Sequence, residues 1–198
     1  MTARLVVLAS GNGTNLQAIL DACAAKRLDA EVAGVVCNTD AYAVRRAEAD
    51  GVAAVVLASA GVERSVYDTK LAEVVAGMSP DFVVLAGWMR ILTMNFLSHF
   101  RGRVVNLHPA LPGAFPGVRA IERAYTAYQA GEIAGTGIMV HLVPDEEVDA
   151  GPVIRSLEVA ILPDDSLEDL EARMHAEEHE ILVAAIGSLI AQEVQELI

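Results

Sequence analysis

The chain has 198 residues, of which 54% are hydrophobic, and it carries a formal net charge of −13 at pH 7. This composition excludes an intrinsically disordered chain, and the length predicts one domain with a single core, spanning residues 1–198. The negative charge argues against a nucleic-acid-binding surface, because phosphate backbones are bound by clustered Lys and Arg.

Short β-branched runs alternate with longer helical stretches in the first half of the chain. The predicted strands cover residues 4–9, 31–37, 53–57, 82–86 and 104–107, and the predicted helices cover residues 16–25, 42–50 and 64–76. Strands that are apolar throughout, such as residues 5–8 and 82–86, suit a parallel sheet with helices on both faces. This pattern predicts an α/β, doubly wound, mostly parallel fold.

The second half of the chain breaks this alternation. A predicted helix at residues 120–130 is followed by two predicted strands, residues 136–143 and 153–161, with no helical pattern between them. We therefore expect an antiparallel C-terminal extension of the sheet. Ser166 begins a Ser-x-x-Asp variant of the capping box and opens a helix that we expect to run through Ile186 towards the C-terminus.

The chain shows no targeting or membrane-spanning pattern. The residues before the first strand lack the apolar core of a signal peptide, and no apolar stretch reaches membrane-spanning length. Cys23 and Cys37 have neither disulfide-framework nor metal-type spacing, which fits a reducing compartment. We predict a cytoplasmic protein that does not bind membranes.

The fifth predicted strand ends in two polar side chains, Asn106 and His108. Side chains two residues apart in a strand share a face, so the amide and the imidazole are expected to converge beyond the strand end. An amide donor beside an imidazole can stabilise an oxyanion and move a proton, as acyl-type transfer requires. The alternative is a strand that simply ends in hydrogen-bonded polar residues before Pro109.

The segment Ser10-Gly11-Asn12-Gly13-Thr14-Asn15 lies between the first strand and the first helix. Its glycines and the helix N-terminus favour an anion, and the segment lacks the full Walker and dinucleotide-binding patterns. It therefore indicates a site for a phosphate monoester. The alternative is a tight turn capped by Thr14 or Asn15.

Two further segments could complete a site at the same edge of the sheet. Asp149, before Gly151 and Pro152, could raise the pKa of the His108 imidazole and orient it, although alone it reads as a turn residue. Residues 87–92 follow the fourth strand and mix Trp88 with a cation and apolar side chains, which could line a pocket for a flat heterocycle. Without the neighbouring motifs, that segment would read as an ordinary loop.

The segment His175-Ala-Glu-Glu-His179 matches the H-x-x-E-H pattern of inverted zinc peptidases. Such a site needs a further acidic ligand, for which only the last residues remain, among them Glu193 and Glu196. A solvated helix face, or a polar group that reaches a sugar hydroxyl, explains the pattern better.

Four separated motifs together resemble the phosphoribosylglycinamide formyltransferases, folate-dependent enzymes of purine synthesis. The motifs are Ser10-Gly-Asn-Gly-Thr-Asn15-Leu-Gln17, Leu85-Ala-Gly-Trp-Met-Arg90-Ile-Leu92, Asn106-Leu-His108-Pro109 and Val148-Asp149-Ala-Gly151. The resemblance covers nearly the whole chain and implies the formyltransferase fold. It also implies 10-formyltetrahydrofolate as formyl donor, small-molecule partners only, no metal, and a monomer or homodimer.

The resemblance also implies roles for individual residues. Asn106, His108 and Asp149 match the catalytic set, with Asp149 keeping His108 cationic before attack. The substrate phosphate is expected at Gly13, Thr14 and Asn15, and the substrate ribose at Glu178. The positions that match folate contacts are Arg64, Met89, Arg90, Ile91, Leu92 and Asn106.

Two stretches depart from the family pattern. Ala110-Leu111-Pro112-Gly113 replaces the usual Ser-Leu-Leu-Pro, and the stretch between His141 and Asp149 is one residue longer. We therefore expect a changed loop path after His108 and a bulge in the folate-side loop.

The sequence leaves other functions open. Methionyl-tRNA formyltransferase and formyltetrahydrofolate deformylase share the formyl-handling core, but both usually carry additional domains. A binding protein without turnover would also be compatible with these residues.

Overall fold

The computed structural model describes the backbone of residues 2–196 and the side chains of residues 2–192. In this part of the chain, strands and helices alternate up to the fifth strand. The strands are β1 (Ala3–Ala9), β2 (Ala30–Cys37), β3 (Ala54–Val56), β4 (Phe82–Leu85), β5 (Val104–His108), β6 (Thr136–Leu142) and β7 (Val153–Val159). The helices are α1 (Thr14–Ala24), α2 (Tyr42–Ala49), α3 (Arg64–Ala76), α4 (Met94–Leu97), α5 (Ala120–Gln129) and α6 (Leu167–Glu196).

The described strands form one seven-stranded sheet in the order β3-β2-β1-β4-β5-β6-β7. The first five strands are parallel, whereas β6 is antiparallel to β5 and β7 is antiparallel to β6. This arrangement confirms the predicted doubly wound sheet with an antiparallel C-terminal extension. The order reverses at β1 and β4, so the loops that follow β1, β4 and β5 lie side by side.

Helices cover both faces of the sheet, as the apolar strands predict. One core cluster joins the sheet to α1, α2 and α6, and includes Leu16, Ala43 and Leu182. The other joins the opposite face to α3 and α4, and includes Leu71 and Phe96. Among residues 2–196, no helix combines the length and the apolar character needed to cross a membrane.

The predicted element bounds agree with the structure to within two residues, with one omission. The short helix α4 was not predicted, because its four residues give no helical periodicity. The capping box before α6 is confirmed: the Asp169 backbone N–H donates to Ser166 Oγ over 3.2 Å, and the Ser166 N–H donates to Asp169 Oδ2 over 3.0 Å.

Two glycines should respond in opposite ways to replacement by alanine. A Cβ on Gly151 would overlap the Leu142 carbonyl oxygen, whereas a Cβ on Gly187 in α6 would meet Leu28 Cδ1 at an ordinary 3.7 Å. We expect Gly151→Ala to lower the free energy of unfolding by about 1–3 kcal/mol. Gly187→Ala should raise it by about 0.5–1 kcal/mol, because alanine restricts the unfolded chain. Urea denaturation measures both, and equal shifts would contradict this account.

Candidate active site

Three loops meet at the carboxyl edge of the sheet, because β1, β4 and β5 are neighbours. A cavity of about 330 Å³ lies at this edge. It is lined by segments 87–92, 106–109, 117–120 and 147–149, together with His141 and Asp145. The residues predicted from the ends of the fourth and fifth strands therefore share one cavity with the late acidic turn.

Asn106 and His108 project from the end of β5 into this cavity. Asn106 is half-buried and His108 is only 3% exposed. Val105 and Leu107, which alternate with them, belong to the core on the other side of the strand. The two-residue repeat of the strand thus separates the polar pair from the apolar pair, as predicted.

Asp149 joins the two β5 side chains through its carboxylate. Its Oδ2 lies 3.2 Å from His108 Nδ1 and accepts the Gly117 backbone N–H over 2.8 Å. Its Oδ1 accepts Asn106 Nδ2 over 3.1 Å. The Asp149 backbone has a φ of 53°, in the left-handed region that aspartate tolerates better than most residues. The structure therefore brings Asn106, His108 and Asp149 together.

His141 is a fourth member of this cluster and was given no role in the sequence analysis. It is paired with Asn106 in the antiparallel register of β5 and β6, and it is 2% exposed. Its Nδ1 lies 2.8 Å from the Leu142 carbonyl oxygen, and its Nε2 lies 3.1 Å from Asn106 Nδ2 and 3.6 Å from Asp149 Oδ1. A histidine inside an otherwise apolar strand could have marked this position as unusual. Its partner could not be predicted, because the pairing of β5 with β6 arises only in the tertiary structure.

Two opposing effects act on the pKa of His108. Burial is the largest effect and lowers the pKa of the imidazole, while the Asp149 carboxylate and the Phe115 carbonyl raise it; the net pKa lies below its ordinary value of 6.5. That Asp149 keeps His108 cationic before attack therefore stays a prediction: the carboxylate acts in that direction and burial acts against it. Both ring nitrogens face acceptors: Nδ1 lies 3.2 Å from Asp149 Oδ2, and Nε2 lies 3.1 Å from the Phe115 carbonyl oxygen.

Asp149 is the charged partner in this cluster. Burial raises the pKa of its carboxyl, but hydrogen bonds from His141 and from the Gly117 N–H, together with the His108 ring, lower it by more. The pKa of Asp149 is consequently below its ordinary value, and the group is an anion at neutral pH. A buried carboxylate beside a neutral imidazole can stabilise the imidazolium when a proton arrives.

The loop after β5 accounts for the Phe115 contact. Ala110 is completely buried, and its N–H donates to the His108 carbonyl over 2.9 Å, which forms a tight turn at the strand end. The Ala114 N–H donates to the Leu111 carbonyl over 2.9 Å, and Phe115 itself has a φ of 46°. The unusual stretch 110–113 thus folds back and directs a carbonyl oxygen towards the imidazole.

The four residues after Trp88 form one side of the cavity. Leu92 is buried, whereas Met89 and Ile91 are exposed large apolar side chains. The Arg90 guanidinium lies over the Tyr67 ring, 4.6 Å from its centroid. Burial raises the pKa of the Tyr67 hydroxyl to about 12, so Tyr67 stays neutral beneath this cation. An apolar wall with exposed apolar side chains suits a flat heterocyclic ligand.

Arg64, at the start of α3, is not among the residues that line the cavity. Its Nη2 is 2.6 Å from Glu146 Oε2 in the loop between β6 and β7. Asp145 and Glu147, on either side of Glu146, do line the cavity. The Arg64 side chain therefore lies beside the cavity, in an ion pair with its rim.

The glycine-rich loop ends in the N-terminal turn of α1, as predicted. Gly13 occupies the cap position with a φ of 78°, and within the described chain no side chain caps this helix. A Cβ on Gly13 would lie 2.7 Å from Ala43 Cβ, so only glycine fits there. The first intrahelical bond is donated by the Gln17 N–H to the Gly13 carbonyl, which leaves the N–H groups of Thr14 and Asn15 ahead of it. Such N–H groups favour an anion.

Glu178 on α6 lies against this loop. Asn15 Nδ2 donates to Glu178 Oε2 over 3.0 Å, although the two residues are 163 positions apart. Burial, opposed by that hydrogen bond and by His175, raises the pKa of the Glu178 carboxyl. The structure therefore joins the predicted phosphate and ribose residues, Asn15 and Glu178.

The H-x-x-E-H segment shows no metal site in the part of the chain that the structure describes. Among those residues, no group of three or more His, Cys, Asp or Glu is arranged to hold a metal ion. His175 is exposed and His179 is half-buried on α6. The side chains of Glu193 and Glu196, the further ligands considered above, lie outside the described residues.

Comparisons with known proteins agree with this geometry. A family model described as formyl transferase matches residues 3–186. A phosphoribosylglycinamide formyltransferase of Dictyostelium discoideum is 44% identical and aligns over 96% of this chain and 98% of its own length. The Escherichia coli (strain K12) protein of that name is 42% identical, over 92% of this chain and 85% of its own.

A solved structure gives the same result in three dimensions. The glycinamide ribonucleotide transformylase 1 of Symbiobacterium toebii superimposes with a TM-score of 0.87 at 41% identity, and the match covers 94% of this chain and 86% of that one. Sequence identity and fold thus agree over nearly the whole chain. The chain therefore belongs to the formyl transferase family, and the relatives it matches here are phosphoribosylglycinamide formyltransferases.

Proposed function

We propose that this chain transfers the formyl group of 10-formyltetrahydrofolate to the amine of glycinamide ribonucleotide, a step of purine synthesis. The observation that carries the proposal is the Asp149 carboxylate, which contacts both His108 and Asn106 at the floor of the cavity. Both substrates are soluble small molecules, so we also propose a cytoplasmic enzyme without nucleic-acid or membrane partners.

The apolar cavity is the proposed site for the folate heterocycle, with Met89, Arg90, Ile91 and Leu92 along one side. The turn at Gly13, Thr14 and Asn15 is the proposed phosphate site, and Glu178 would accept hydrogen bonds from ribose hydroxyls. The glycine-rich loop follows β1, and Asn106 lies near the end of β5, two strands away in the sheet. This arrangement supports one extended substrate that reaches from the loop to Asn106.

The reaction forms one C–N bond and breaks another. The substrate amine attacks the formyl carbon, and the carbonyl electrons move onto oxygen to give a tetrahedral oxyanion. We propose that Asn106 Nδ2 and the His108 ring donate hydrogen bonds to this oxyanion. The intermediate collapses as the bond between the carbon and the folate nitrogen breaks.

The proton balance uses His108 and Asp149. The attacking amine must lose a proton, and the departing folate nitrogen must gain one. Because burial lowers the pKa of His108, we propose that the ring accepts the amine proton directly or through water, with Asp149 stabilising the imidazolium. The imidazolium then returns a proton to the folate nitrogen, and the site is restored without a metal ion.

The direct test supplies the purified chain with glycinamide ribonucleotide and 10-formyltetrahydrofolate and follows both products. We expect one formylated ribonucleotide for each tetrahydrofolate released. Formate released at the same rate without the amine acceptor would instead identify a deformylase. Tight binding of both substrates without any product would identify a binding protein.

Replacing His108 should remove most of the activity without unfolding the protein. We expect His108→Asn to lower kcat by about 10²–10⁴-fold, the usual contribution of a positioned acid–base group. His99→Asn, on an exposed histidine that does not line the cavity, is the matched control and should leave kcat unchanged. Steady-state assays together with circular dichroism check both variants, and a fully active His108→Asn enzyme would refute the assigned role.

Removing the Asp149 charge should change the titration of His108. Asp149 raises the pKa of His108 against the effect of burial, so Asp149→Asn should shift that pKa further below 6.5. Because the unfolded chain then binds more protons, the free energy of unfolding should decrease as the pH falls below about 6.5. NMR titration of the His108 ring, assigned with His108→Asn, measures the pKa. A ligand-free His108 that titrates above 6.5 would contradict the assignment.

Glu178 should affect binding of the ribonucleotide more than the chemical step. Loss of charged hydrogen bonds to substrate hydroxyls should raise KM for glycinamide ribonucleotide about ten- to hundredfold in Glu178→Gln, with a smaller change in kcat. Glu177→Gln, which removes an exposed charge one position away on α6, is the control. A similar KM for both variants and the unmodified chain would exclude the ribose contact.

A further inference from the structure

An ion pair at the rim of the cavity joins three elements of the fold. Arg64 Nη2 lies 2.6 Å from Glu146 Oε2, and Glu146 Oε1 accepts the Met94 backbone N–H over 3.1 Å. The Arg64 and Glu146 side chains are 45% and 40% exposed. Both carboxylate oxygens are thus engaged, and the loop between β6 and β7 is tied to the starts of α3 and α4.

The surroundings of this pair are acidic. Asp145, Glu146 and Glu147, defined here as the acidic rim, are consecutive and exposed, and the first and third line the cavity. Arg64 is the cation that pairs with this rim. An incoming carboxylate that binds Arg64 would therefore lie beside three negative charges.

The formyl donor in the proposed function has to pass this rim. Its reacting nitrogen lies near Asn106 and His108, and its heterocycle fills the apolar part of the cavity. The aminobenzoyl-glutamate tail is bonded to that same nitrogen and must therefore leave through the open side. Because the tail ends in carboxylates, the cation of the rim pair is a suitable partner for it.

We propose that Glu146 occupies the position on Arg64 that a carboxylate of the donor tail takes, and so sets how strongly the enzyme prefers donors with an anionic tail. This inference rests on the proposed function. The Glu146 carboxylate competes with the tail carboxylate for Arg64. The tail can bind only molecules in which the Arg64–Glu146 pair is open, so its apparent affinity falls in proportion to that fraction. Glu146 thereby acts as a specificity determinant without touching the reacting atoms.

The test compares two formyl donors, 10-formyltetrahydrofolate and 10-formyltetrahydropteroate, which lacks the glutamate. Glu146→Gln removes the competing charge but keeps an amide oxygen that can accept the Met94 N–H. An exposed ion pair contributes about 0.2–1 kcal/mol, so KM for the folate donor should fall by up to about fivefold. KM for the pteroate donor should not change.

Two further variants make the result specific to the ion pair. Glu147→Gln removes a charge from the same rim without breaking the pair, and it should lower KM for the folate donor by less than Glu146→Gln does. In an Arg64→Gln background, Glu146→Gln should change the ratio of the two KM values by no more than Glu147→Gln does.

The possible failures are distinguishable. If the unmodified chain formylates glycinamide ribonucleotide but Glu146→Gln changes KM equally for both donors, Glu146 only anchors the loop and the inference is wrong. Equal effects of Glu146→Gln and Glu147→Gln would mean a general charge effect, which also overturns it. An unmodified chain without transfer activity would refute the proposed function itself.

Discussion

The candidate active site depends on one carboxylate that is buried among its hydrogen-bond partners. Asp149 contacts His108 and Asn106 on β5 and the Gly117 backbone N–H before α5. These partners replace the water that the carboxylate loses on burial, and they hold its pKa below the ordinary value. Removing the carboxylate would leave His108, Asn106 and the Gly117 N–H without their common acceptor in a partly buried site.

Burial and charge act on His108 in opposite directions, and burial is the stronger. A solvent-exposed imidazole beside an anion would gain a proton, but one that is 3% exposed loses the hydration that stabilises its cation. The pKa of the ring is therefore below its ordinary value, and nearby negative charge favours its cation. This balance suits a reaction in which a proton is first accepted and then returned.

The strong negative charge of the chain poses a problem for a protein whose proposed substrates are anions. The structure supports a local solution: backbone N–H groups at the start of α1, and arginines at the cavity and its rim. Local donors act at short range, where screening by salt is weak, whereas the net charge acts over distances that salt screens. Arg64, one of these arginines, is paired with Glu146 of the acidic rim.

The sequence by itself determined the fold class and identified most residues of the candidate site. Strands that are apolar throughout and alternate with helical stretches predict the doubly wound sheet. Asn106 and His108 must share a face because the strand repeat is two. Asp149 could be proposed as a partner because it lies in the loop predicted between the last two strands. These are local properties of the chain.

Tertiary structure decided the rest. His141 joins the cluster only through the register between β5 and β6, and Glu146 meets Arg64 across 82 residues of chain. The pKa of His108 depends on how many atoms exclude water from the ring, which no local pattern encodes. Position along the chain predicts which side chains can face a site, but burial and long-range pairing, which arise only when distant segments pack, decide their charge and their partners.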